Sequence, residues 1–340
     1  MSEMAQDETL FTLEDVASRA GVSRMTVSRV LNNRGGASEE TQRRIRQAAR
    51  ELNYRPNAMA RSLKSRRSSI IGVIVPDISN PFFPEIFRGA ESVAQASGYT
   101  LILSNVVESA DREAEVLEKL LAQQVDGIIW CSARMEDAAL KKALAPTKSV
   151  VLVNRESDPE LASSVTVDYA LGARLAVDHL TEIGLRQIGL IAGPDWSFGA
   201  VERIRGVQKA MEARGLAPVD MVNCDPTIQG GETAAASMLA KHDSIDGLIC
   251  YNDLTAIGAL QAARNLELDV PKDLALIGFD DIDLAQLVTP TITSLGVERY
   301  EIGRAAMKLL LKQIDGQETE QKIVLHPKLM MRGSTLKTVV

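Results

Sequence analysis

The sequence holds few of the residues that metal centres, disulfide frameworks and hydrolytic active sites require. Its three cysteines are odd in number and far apart, so neither a disulfide framework nor a zinc site is expected. The three histidines, His179, His242 and His326, lack metal-ligand spacing. Segment 193–199 is neither a nucleophile elbow nor a phosphate-binding loop. No catalytic residue, metal or cofactor is therefore predicted, and an enzyme is disfavoured.

Long hydrophobic runs are also missing. No stretch approaches the roughly 18 apolar residues of a membrane-spanning helix. Residues 1–9 are polar and acidic, whereas an export signal has a basic start followed by an apolar core. We therefore expect a cytoplasmic protein that makes no contact with a membrane.

The length and the charge distribution predict more than one domain. A chain of 340 residues exceeds one ordinary core and suits two or three domains. The formal net charge is −7, but residues 1–68 hold 13 basic and 8 acidic residues, and the remainder holds 25 and 37. A basic head on an acidic body is compatible with nucleic-acid binding by the head.

The head begins with two short helical patterns. The first, at 13–20, follows a capping Thr12, and the second, at 22–32, follows Gly21 with Ser23 as its cap. The apolar stripe of the second helix consists of Val27, Val30 and Leu31. Its polar face consists of Arg24, Met25, Ser28 and Arg29. Two short helices joined by a tight glycine-containing turn are typical of a helix-turn-helix.

A third helix is predicted to close the head, from 38–41 to Tyr54. Its apolar residues at helical spacing are Ile45, Ala48, Ala49 and Leu52. Its arginines, which suit phosphate contact beside a helix-turn-helix, are Arg43, Arg44, Arg46 and Arg50. Residues 56–69 combine a helix of about eight residues with a basic linker. Such a short helix is marginal in water, so we expect it to need a partner chain or DNA.

From Ile70 onward, short apolar runs alternate with longer helical patterns. The predicted strands are 70–75, 99–103, 127–131, 150–153, 188–192, one near Val222, 247–250 and 274–278. Helices are predicted between them, among them 84–97, 112–123, 201–213, 254–265 and 302–313. These series predict parallel sheets covered on both faces, and two series of similar size imply two lobes with a cleft between them.

The predicted fold class is multidomain α plus α/β. Its parts are a disordered tail at 1–9, a three-helix head at 10–55, a hinge helix and linker at 56–69, a first lobe at 70–166 plus about 296–326, and a second lobe at 167–295 plus 327–340. Several crossings between the lobes would form a hinge. Ligands of open α/β sheets bind at the carboxyl ends of strands, which here face the cleft.

Motifs along essentially the whole chain resemble the lactose-repressor family of bacterial transcription regulators. They lie at 12–17, 20–23 and 26–32 in the head, at 54–63 in the linker, and at 72–83, 247–253 and 277–281 in the body. The resemblance implies a periplasmic-binding-protein-like effector domain and a homodimer or tetramer that binds pseudo-palindromic, double-stranded operator DNA. It leaves open whether a phosphocarrier protein acts as a co-regulator.

Carried over by position, the resemblance implies the DNA contacts. Arg24, Met25 and Arg29 would meet base edges in the major groove, and Met25 is equally compatible with an exposed spacer. Residues that would hold phosphates or neighbouring groups are Ser23, Thr26, Ser28 and Asn32. The implied linker contacts are Asn57, Ala60, Leu63 and Lys64. Leu63 would wedge between base pairs in the minor groove, with packing against the core as its alternative.

The resemblance also implies an effector site in the cleft. Arg203 and Asp280 correspond to the family's ligand-gripping pair, which offers paired hydrogen bonds to adjacent hydroxyls. The other implied residues are Phe82, Phe83, Asn154, Arg155, Ser197, Asn252 and Asp253. Ordinary salt bridges are the alternative for the charged residues of this set, which are Arg155, Arg203, Asp253 and Asp280. Core packing is the alternative for the two phenylalanines.

Two departures from the family narrow the ligand. Ser197 stands where the purine-binding branch has a further arginine, and Pro226 stands where many members have a pocket aromatic residue, so a purine is disfavoured. The polar residues suit a sugar or a sugar derivative, with phosphorylated and acidic sugars still open. A solute-binding protein of the same two-lobed fold is the alternative function. The head and the lack of an export signal argue against it.

Overall fold

A computed structural model describes residues 11–31, 35–54, 67–147, 149–156, 158, 160–318 and 320–336. The chain divides into two compact units, Met1–Ser68 and Ser69–Val340. None of the helices in the described ranges is long and apolar enough to cross a membrane.

The head consists of α1 (Leu13–Ala20), α2 (Arg24–Leu31) and α3 (Glu39–Glu51). The Thr12 hydroxyl accepts a hydrogen bond from the Asp15 backbone N–H at 3.3 Å, and the Asp15 carboxylate accepts one from the Thr12 N–H at 2.7 Å. Gly21 ends α1 with a φ of 62°, a left-handed conformation that glycine adopts without strain. The predicted cap on α2 is present, since Ser23 Oγ accepts from the Thr26 N–H at 3.2 Å.

The predicted apolar stripes meet in one small core. Its centre is formed by residues that are fully buried, Val16, Val27 and Ile45, with Val30, Ala48 and Ala49 around them. Leu31 and Leu52 are half-buried at its edge. The apolar spacing of all three helices therefore predicted the core of the head correctly.

The first lobe is a parallel sheet with the strand order β11-β5-β4-β3-β1-β2. The strands are β1 (Ile70–Val75), β2 (Thr100–Asn105), β3 (Gly127–Cys131), β4 (Val150–Val153), β5 (Ser163–Val167) and β11 (Lys322–Leu325). The helices are α4 (Phe82–Ala96), α5 (Ala110–Ala122), α6 (Asp137–Leu144) and α12 (Arg299–Ile314). Val73 lies opposite Leu103 and Ile129 in the centre of this sheet.

The second lobe repeats the arrangement with the strand order β12-β10-β9-β8-β6-β7. The strands are β6 (Ile188–Ala192), β7 (Met221–Asn223), β8 (Gly247–Cys250), β9 (Ala275–Asp280), β10 (Thr293–Gly296) and β12 (Lys328–Met330). The helices are α7 (Tyr169–Glu182), α8 (Phe198–Glu212), α9 (Ile228–Leu239), α10 (Asp253–Asn265) and α11 (Leu284–Leu287). Pairing is parallel except between β10 and β12.

The chain passes between the two sheets after β5, after β10 and after β11. β5 continues through Val167, beyond the predicted end of the first lobe at 166. The sequence did not predict this strand, because buried Ser163, Ser164 and Thr166 interrupt the apolar run. Three connections therefore join the two lobes.

Candidate functional site

A small cavity of about 30 Å³ lies between the lobes at the carboxyl ends of their strands. The first lobe contributes Asn80, Phe82, Phe83, Glu108, Ser132, Arg134 and Asn154 to its lining. The second lobe contributes Tyr169, Ser197, Gly199, Arg203, Pro226, Tyr251, Asn252 and Asp280. Parallel strands end at the same sheet edge, so the loops after β1 to β4 face the loops after β6 to β8 and the end of β9.

Arg203 and Asp280 form a buried ion pair in this cavity. Arg203 Nη2 donates to Asp280 Oδ1 at 2.9 Å, and Nη1 donates to the Tyr251 carbonyl at 2.9 Å. The guanidinium carbon lies 4.8–5.0 Å from the ring centres of Tyr169, Tyr251 and Phe279. Burial raises the pKa of Asp280, and Arg203 opposes that rise. Burial alone would lower the pKa of Arg203, but Asp280 and the tyrosines raise it, so the guanidinium stays charged.

A second ion pair, between Arg134 and Glu108 of the first lobe, lines the same cavity. Arg134 Nε and Nη2 donate to the two carboxylate oxygens of Glu108 at 2.6 and 3.1 Å. Arg134 Nη1 crosses the cleft and donates to Ser197 Oγ at 3.1 Å. Ser197 also caps α8 through the Ala200 N–H and lies 3.2 Å from the Tyr251 hydroxyl. One serine thus joins the first lobe, α8 and the loop after β8.

Glu113 on α5 holds the loop that carries Arg134. The side chain of Glu113 is fully buried. The carboxylate of Glu113 accepts the backbone N–H groups of Arg134 at 2.9 Å and Met135 at 3.1 Å, and the Trp130 indole N–H at 3.2 Å. Burial raises the pKa of Glu113, while these hydrogen bonds oppose the shift. The Met135 carbonyl in turn accepts from Arg155 Nη2 at 3.1 Å.

Asn154 and Arg155 follow β4 but face different spaces. Asn154 lines the cavity with a φ of 53°, and its buried Oδ1 has no hydrogen-bond partner in the part of the chain that the structure describes. Arg155 instead borders a separate groove. Its guanidinium pairs with Asp137 at 2.6 Å and stacks over the Phe198 ring at 5.6 Å. Arg155 therefore forms an ion pair with Asp137 and does not line the cavity.

Asn252 and Asp253 also separate in role. Asn252 lines the cavity and caps α10, where its Oδ1 accepts from the Thr255 N–H at 2.9 Å. Asp253 is fully buried behind the cavity, where its carboxylate accepts from Ser294 Oγ at 2.6 Å and the Ile282 N–H at 2.8 Å. Burial raises the pKa of Asp253 well above its ordinary value. Asp253 braces the ends of β9 and β10 and does not line the cavity.

Phe82 and Phe83 satisfy both of their predicted alternatives. Their rings pack edge to face with centres 5.3 Å apart, both side chains are buried in the core of the first lobe, and both line the cavity. They close the cavity on the side of α4 with apolar surface.

In the head, α2 presents a polar face to solvent. Its exposed residues are Arg24, Met25 and Arg29, with Ser28 half-buried beside them. Met25 is 72% exposed, so it makes no contribution to the core. The hydroxyls of Ser23 and Thr26 are 2.9 Å apart at the start of the helix. Arginines and hydroxyls on one exposed helix face suit a DNA groove and its phosphates.

Several residues predicted to contact DNA lie outside the described part of the chain. They are Asn32 and the linker residues Asn57, Ala60, Leu63 and Lys64.

Two family descriptions match the chain. Residues 12–57 match "Bacterial regulatory proteins, lacI family", and residues 177–335 match "Periplasmic binding protein-like domain". The HTH-type transcriptional repressor CytR of Escherichia coli is 37% identical over 334 residues, which cover 97% of this chain and 98% of CytR. The chain belongs to the lacI family. The ribose operon repressor of Halalkalibacterium halodurans is 36% identical over 325 residues, which cover 95% of this chain and 97% of that repressor.

Solved structures of lacI-family regulators share the fold. The lac repressor dimer bound to operator and the anti-inducer ONPF superposes with a TM-score of 0.87 at 28% identity, covering 97% of this chain and 100% of that one. The CelR–cellobiose complex gives 0.73 at 31% identity, covering 95% and 99%. These matches confirm the predicted head and two-lobed body. The relatives are transcriptional repressors, so this lacI-family chain is a DNA-binding transcription regulator and not an enzyme.

Some cavity residues of this lacI-family protein were absent from the prediction. They are Asn80, Glu108, Ser132, Arg134, Tyr169, Gly199 and Tyr251, with Pro226 noted only as a departure. Arg134 and Tyr251 directly follow buried apolar strands, at three residues and one residue beyond β3 and β8. A polar or aromatic residue just after such a strand was therefore a pattern that could have identified them.

Proposed function

We propose that this chain is a transcriptional repressor that binds pseudo-palindromic operator DNA as a homodimer, under the control of a sugar or sugar derivative bound in the cleft. The Arg203–Asp280 pair carries the proposal, because it is a buried, ring-enclosed hydrogen-bonding group at the cleft of a regulator with a helix-turn-helix head. We also propose a cytoplasmic location, which the DNA-binding repressors among its relatives support.

The proposed DNA contacts come from α2 and the linker. Arg24 and Arg29 donate to base edges, Met25 touches a base methyl group, and the hydroxyls near the start of α2 bind phosphates. Asn32, Asn57, Ala60, Leu63 and Lys64 complete this proposed set. The lac repressor in the dimeric complex with operator is a relative of the same fold, which supports a dimeric mode of binding.

The cavity chemistry supports a sugar as the effector. A guanidinium beside a carboxylate offers donors and acceptors to neighbouring hydroxyls, and the tyrosine rings offer apolar faces. Asn154 Oδ1 and Arg203 Nε are buried without partners among the described residues, so Oδ1 can accept a hydrogen bond from a ligand and Nε can donate one. Relatives named for ribose and solved with cellobiose support the same class. Because Ser197 stands where the purine-binding branch has a further arginine, a purine in this cavity would lack that contact.

The two lobes would couple this ligand to the head. We assign 70–166 with about 296–326 to the first lobe and 167–295 with 327–340 to the second. The effector contacts both lobes, and its binding energy therefore differs between an open and a closed cleft. A shift of lobe orientation at the dimer interface then alters operator binding, which is allosteric coupling between two sites.

Two measurements test the proposal. Operator-like palindromes selected from a random library are titrated by fluorescence anisotropy, and a thermal-shift screen is run with D-ribose, cellobiose, sugar phosphates, sugar acids, nucleobases and amino acids. We expect sequence-specific binding and a sugar that both raises the melting temperature and changes operator affinity. Binding to no selected palindrome would refute the DNA role, and stabilisation by nucleobases or amino acids alone would refute the sugar.

A further inference from the structure

Arg134 is a charged donor that the predicted site residues leave out. Its side chain is 4% exposed, so it is committed to the cavity that it lines rather than to solvent. A guanidinium has five N–H donors, and Glu108 and Ser197 take three of them. Two donors are left for a molecule in the cavity.

The charge of Arg134 is balanced inside the same cavity. Glu108 binds its guanidinium through both carboxylate oxygens, and Asp280 balances Arg203 on the opposite lobe. An uncharged ligand can accept from the free donors without meeting a net charge. An anionic ligand would come close to the carboxylates of Glu108 and Asp280 in a medium of low dielectric constant, where repulsion is strong.

The position of Arg134 depends on a buried carboxylate outside the cavity. Glu113 accepts the backbone N–H groups of both Arg134 and Met135, which fixes the loop after β3 against α5. The same carboxylate holds the Trp130 indole beneath that loop. Without Glu113, these buried N–H groups would lose their acceptor, and the loop would gain alternative conformations.

We propose that Arg134 is a specificity-determining residue of the effector site. Its guanidinium donates to an uncharged polar group of the effector, and the site rejects anionic ligands because Glu108 neutralises the charge of Arg134. Glu113 is the positioning residue of Arg134. The inference rests on the proposed function only in taking this cavity as the effector site. It narrows the sugar class to uncharged members.

Inorganic phosphate is a suitable probe, because it is a small anion that needs no knowledge of the effector. The dissociation constant for phosphate is measured from the melting temperature at constant ionic strength, in the wild type, Glu108→Gln and Glu108→Gln/Arg134→Met. The matched control is Glu85→Gln, which removes the partner of Arg88 on the surface of α4. We expect Glu108→Gln to bind phosphate at least about tenfold more tightly than the wild type and the control. The added Arg134→Met change should abolish this gain.

The alternative results are decisive. If Glu108→Gln gains no phosphate affinity over the control, Arg134 does not present its donors to the cavity. If the wild type binds phosphate and Glu108→Gln/Arg134→Met does not, Glu108 does not neutralise Arg134. This second comparison can be made even if Glu108→Gln alone fails to fold. No DNA or sugar is used, so a failure of operator binding or of the sugar screen would be recognised separately.

The positioning role of Glu113 has its own test in Glu108→Gln/Glu113→Leu, which removes the acceptor at a similar side-chain size. We expect phosphate affinity about tenfold below that of Glu108→Gln, with faster amide exchange at Arg134 and Met135 and unchanged exchange in β1 and β4. Unchanged affinity would overturn the positioning role. Faster exchange throughout the first sheet would assign Glu113 to general stability instead.

Discussion

Each arginine of the central cavity is buried beside its own carboxylate, Arg203 beside Asp280 and Arg134 beside Glu108. A buried pair adds little net stability, since desolvation offsets the attraction, but removal of one partner leaves a buried charge alone. At the scale of single residues, the site is therefore held together by charge balance more than by the number of contacts.

Replacement of Arg203 by Met should lower the free energy of unfolding by about 3–5 kcal/mol near neutral pH, because Asp280 loses its cation. The loss should shrink as the pH falls, since protonation removes the unpaired charge and the folded state then binds the extra proton. Urea denaturation at pH 8 and pH 5 measures both effects. Exposed Arg205→Met is the control and should stay within about 0.5 kcal/mol. An equal loss at the two pH values would contradict the assigned charge of Asp280.

His179 should give the protein an acid-sensitive stability. It is 5% exposed, its Nε2 lies 2.7 Å from Thr335 Oγ1, and burial lowers its pKa below the ordinary 6.5. Below about pH 6.5 the unfolded state binds a proton that the folded state resists, so the free energy of unfolding falls with decreasing pH. His179→Gln should flatten the change between pH 7.5 and 5.5 in urea titrations. A slope as steep in His179→Gln as in the wild type would exclude His179 as its cause.

Single residues were predictable where a family motif fixed their position. Arg203 and Asp280 lie in the cavity as the motif implies, although their role with a ligand stays a prediction. Arg134 could not be derived in this way, because its place depends on Glu113, 21 residues earlier in the sequence, and on Ser197 across the cleft. Such contacts between distant segments leave no periodic trace in the sequence.

At the scale of elements, both lobes pair two helices through glycine. In the first lobe α4 meets α12, where a Cβ on Gly303 would clash with the Ile86 carbonyl oxygen. In the second lobe α9 meets α10, where a Cβ on Gly258 would clash with the Ile228 carbonyl oxygen. Backbone rather than side chains therefore forms each crossing, and backbone cannot move aside for a methyl group.

Gly303→Ala should destabilise the protein by about 1–3 kcal/mol through overpacking, despite the better helix propensity of alanine. Gly247→Ala is the control, because its added Cβ would meet the nearest atom at 3.4 Å, an ordinary contact. Urea denaturation compares the two variants. A Gly303→Ala protein as stable as the wild type would show that α4 and α12 can separate freely.

The exposed face of α2 should determine the choice of operator. If Arg29 donates to a base edge as proposed, Arg29→Ala should weaken binding to a selected operator by about 1–3 kcal/mol and relax the base preference at one position of each half-site. Arg19→Ala is the control on α1, where the arginine pairs with Glu51. Titration against a panel of single-base operator variants measures the preference, and an unchanged preference would remove Arg29 from the reading of bases.

Strands were predictable in proportion to their apolar content. β1, β3, β4, β6 and β8 have the predicted bounds, because each is an uninterrupted apolar run in the centre of a sheet. β2 and β9 end two residues later than predicted, where Ser104–Asn105 and Phe279–Asp280 mix polar side chains into the strand. The sequence of β5 was interpreted as a boundary between the lobes, because its hydroxyl side chains are polar. They are buried because β5 pairs with both β4 and β11.

At the scale of the whole molecule, the net charge of −7 conceals a basic head. If that head alone binds the phosphates, operator affinity should fall steeply as the salt concentration rises. The slope of log affinity against log salt concentration should be roughly −0.9 for each phosphate contacted. Anisotropy titrations from 50 to 200 mM salt measure the slope. Arg43→Ala should reduce it by about one, and acidic-body variants such as Glu115→Ala should not. A slope near zero would argue against backbone contact.

The last two strands lie at the edges of two different sheets. β11 pairs with β5 in the first lobe, and β12 pairs with β10 in the second. A ribosome that has made residues 1–315 therefore carries a nascent chain with two uncovered sheet edges, each able to pair with another chain. The nine residues from Lys322 to Met330, which take about a second to synthesise, then cover both edges. Until this segment has paired, the β5 and β10 edges stay open to pairing with another chain.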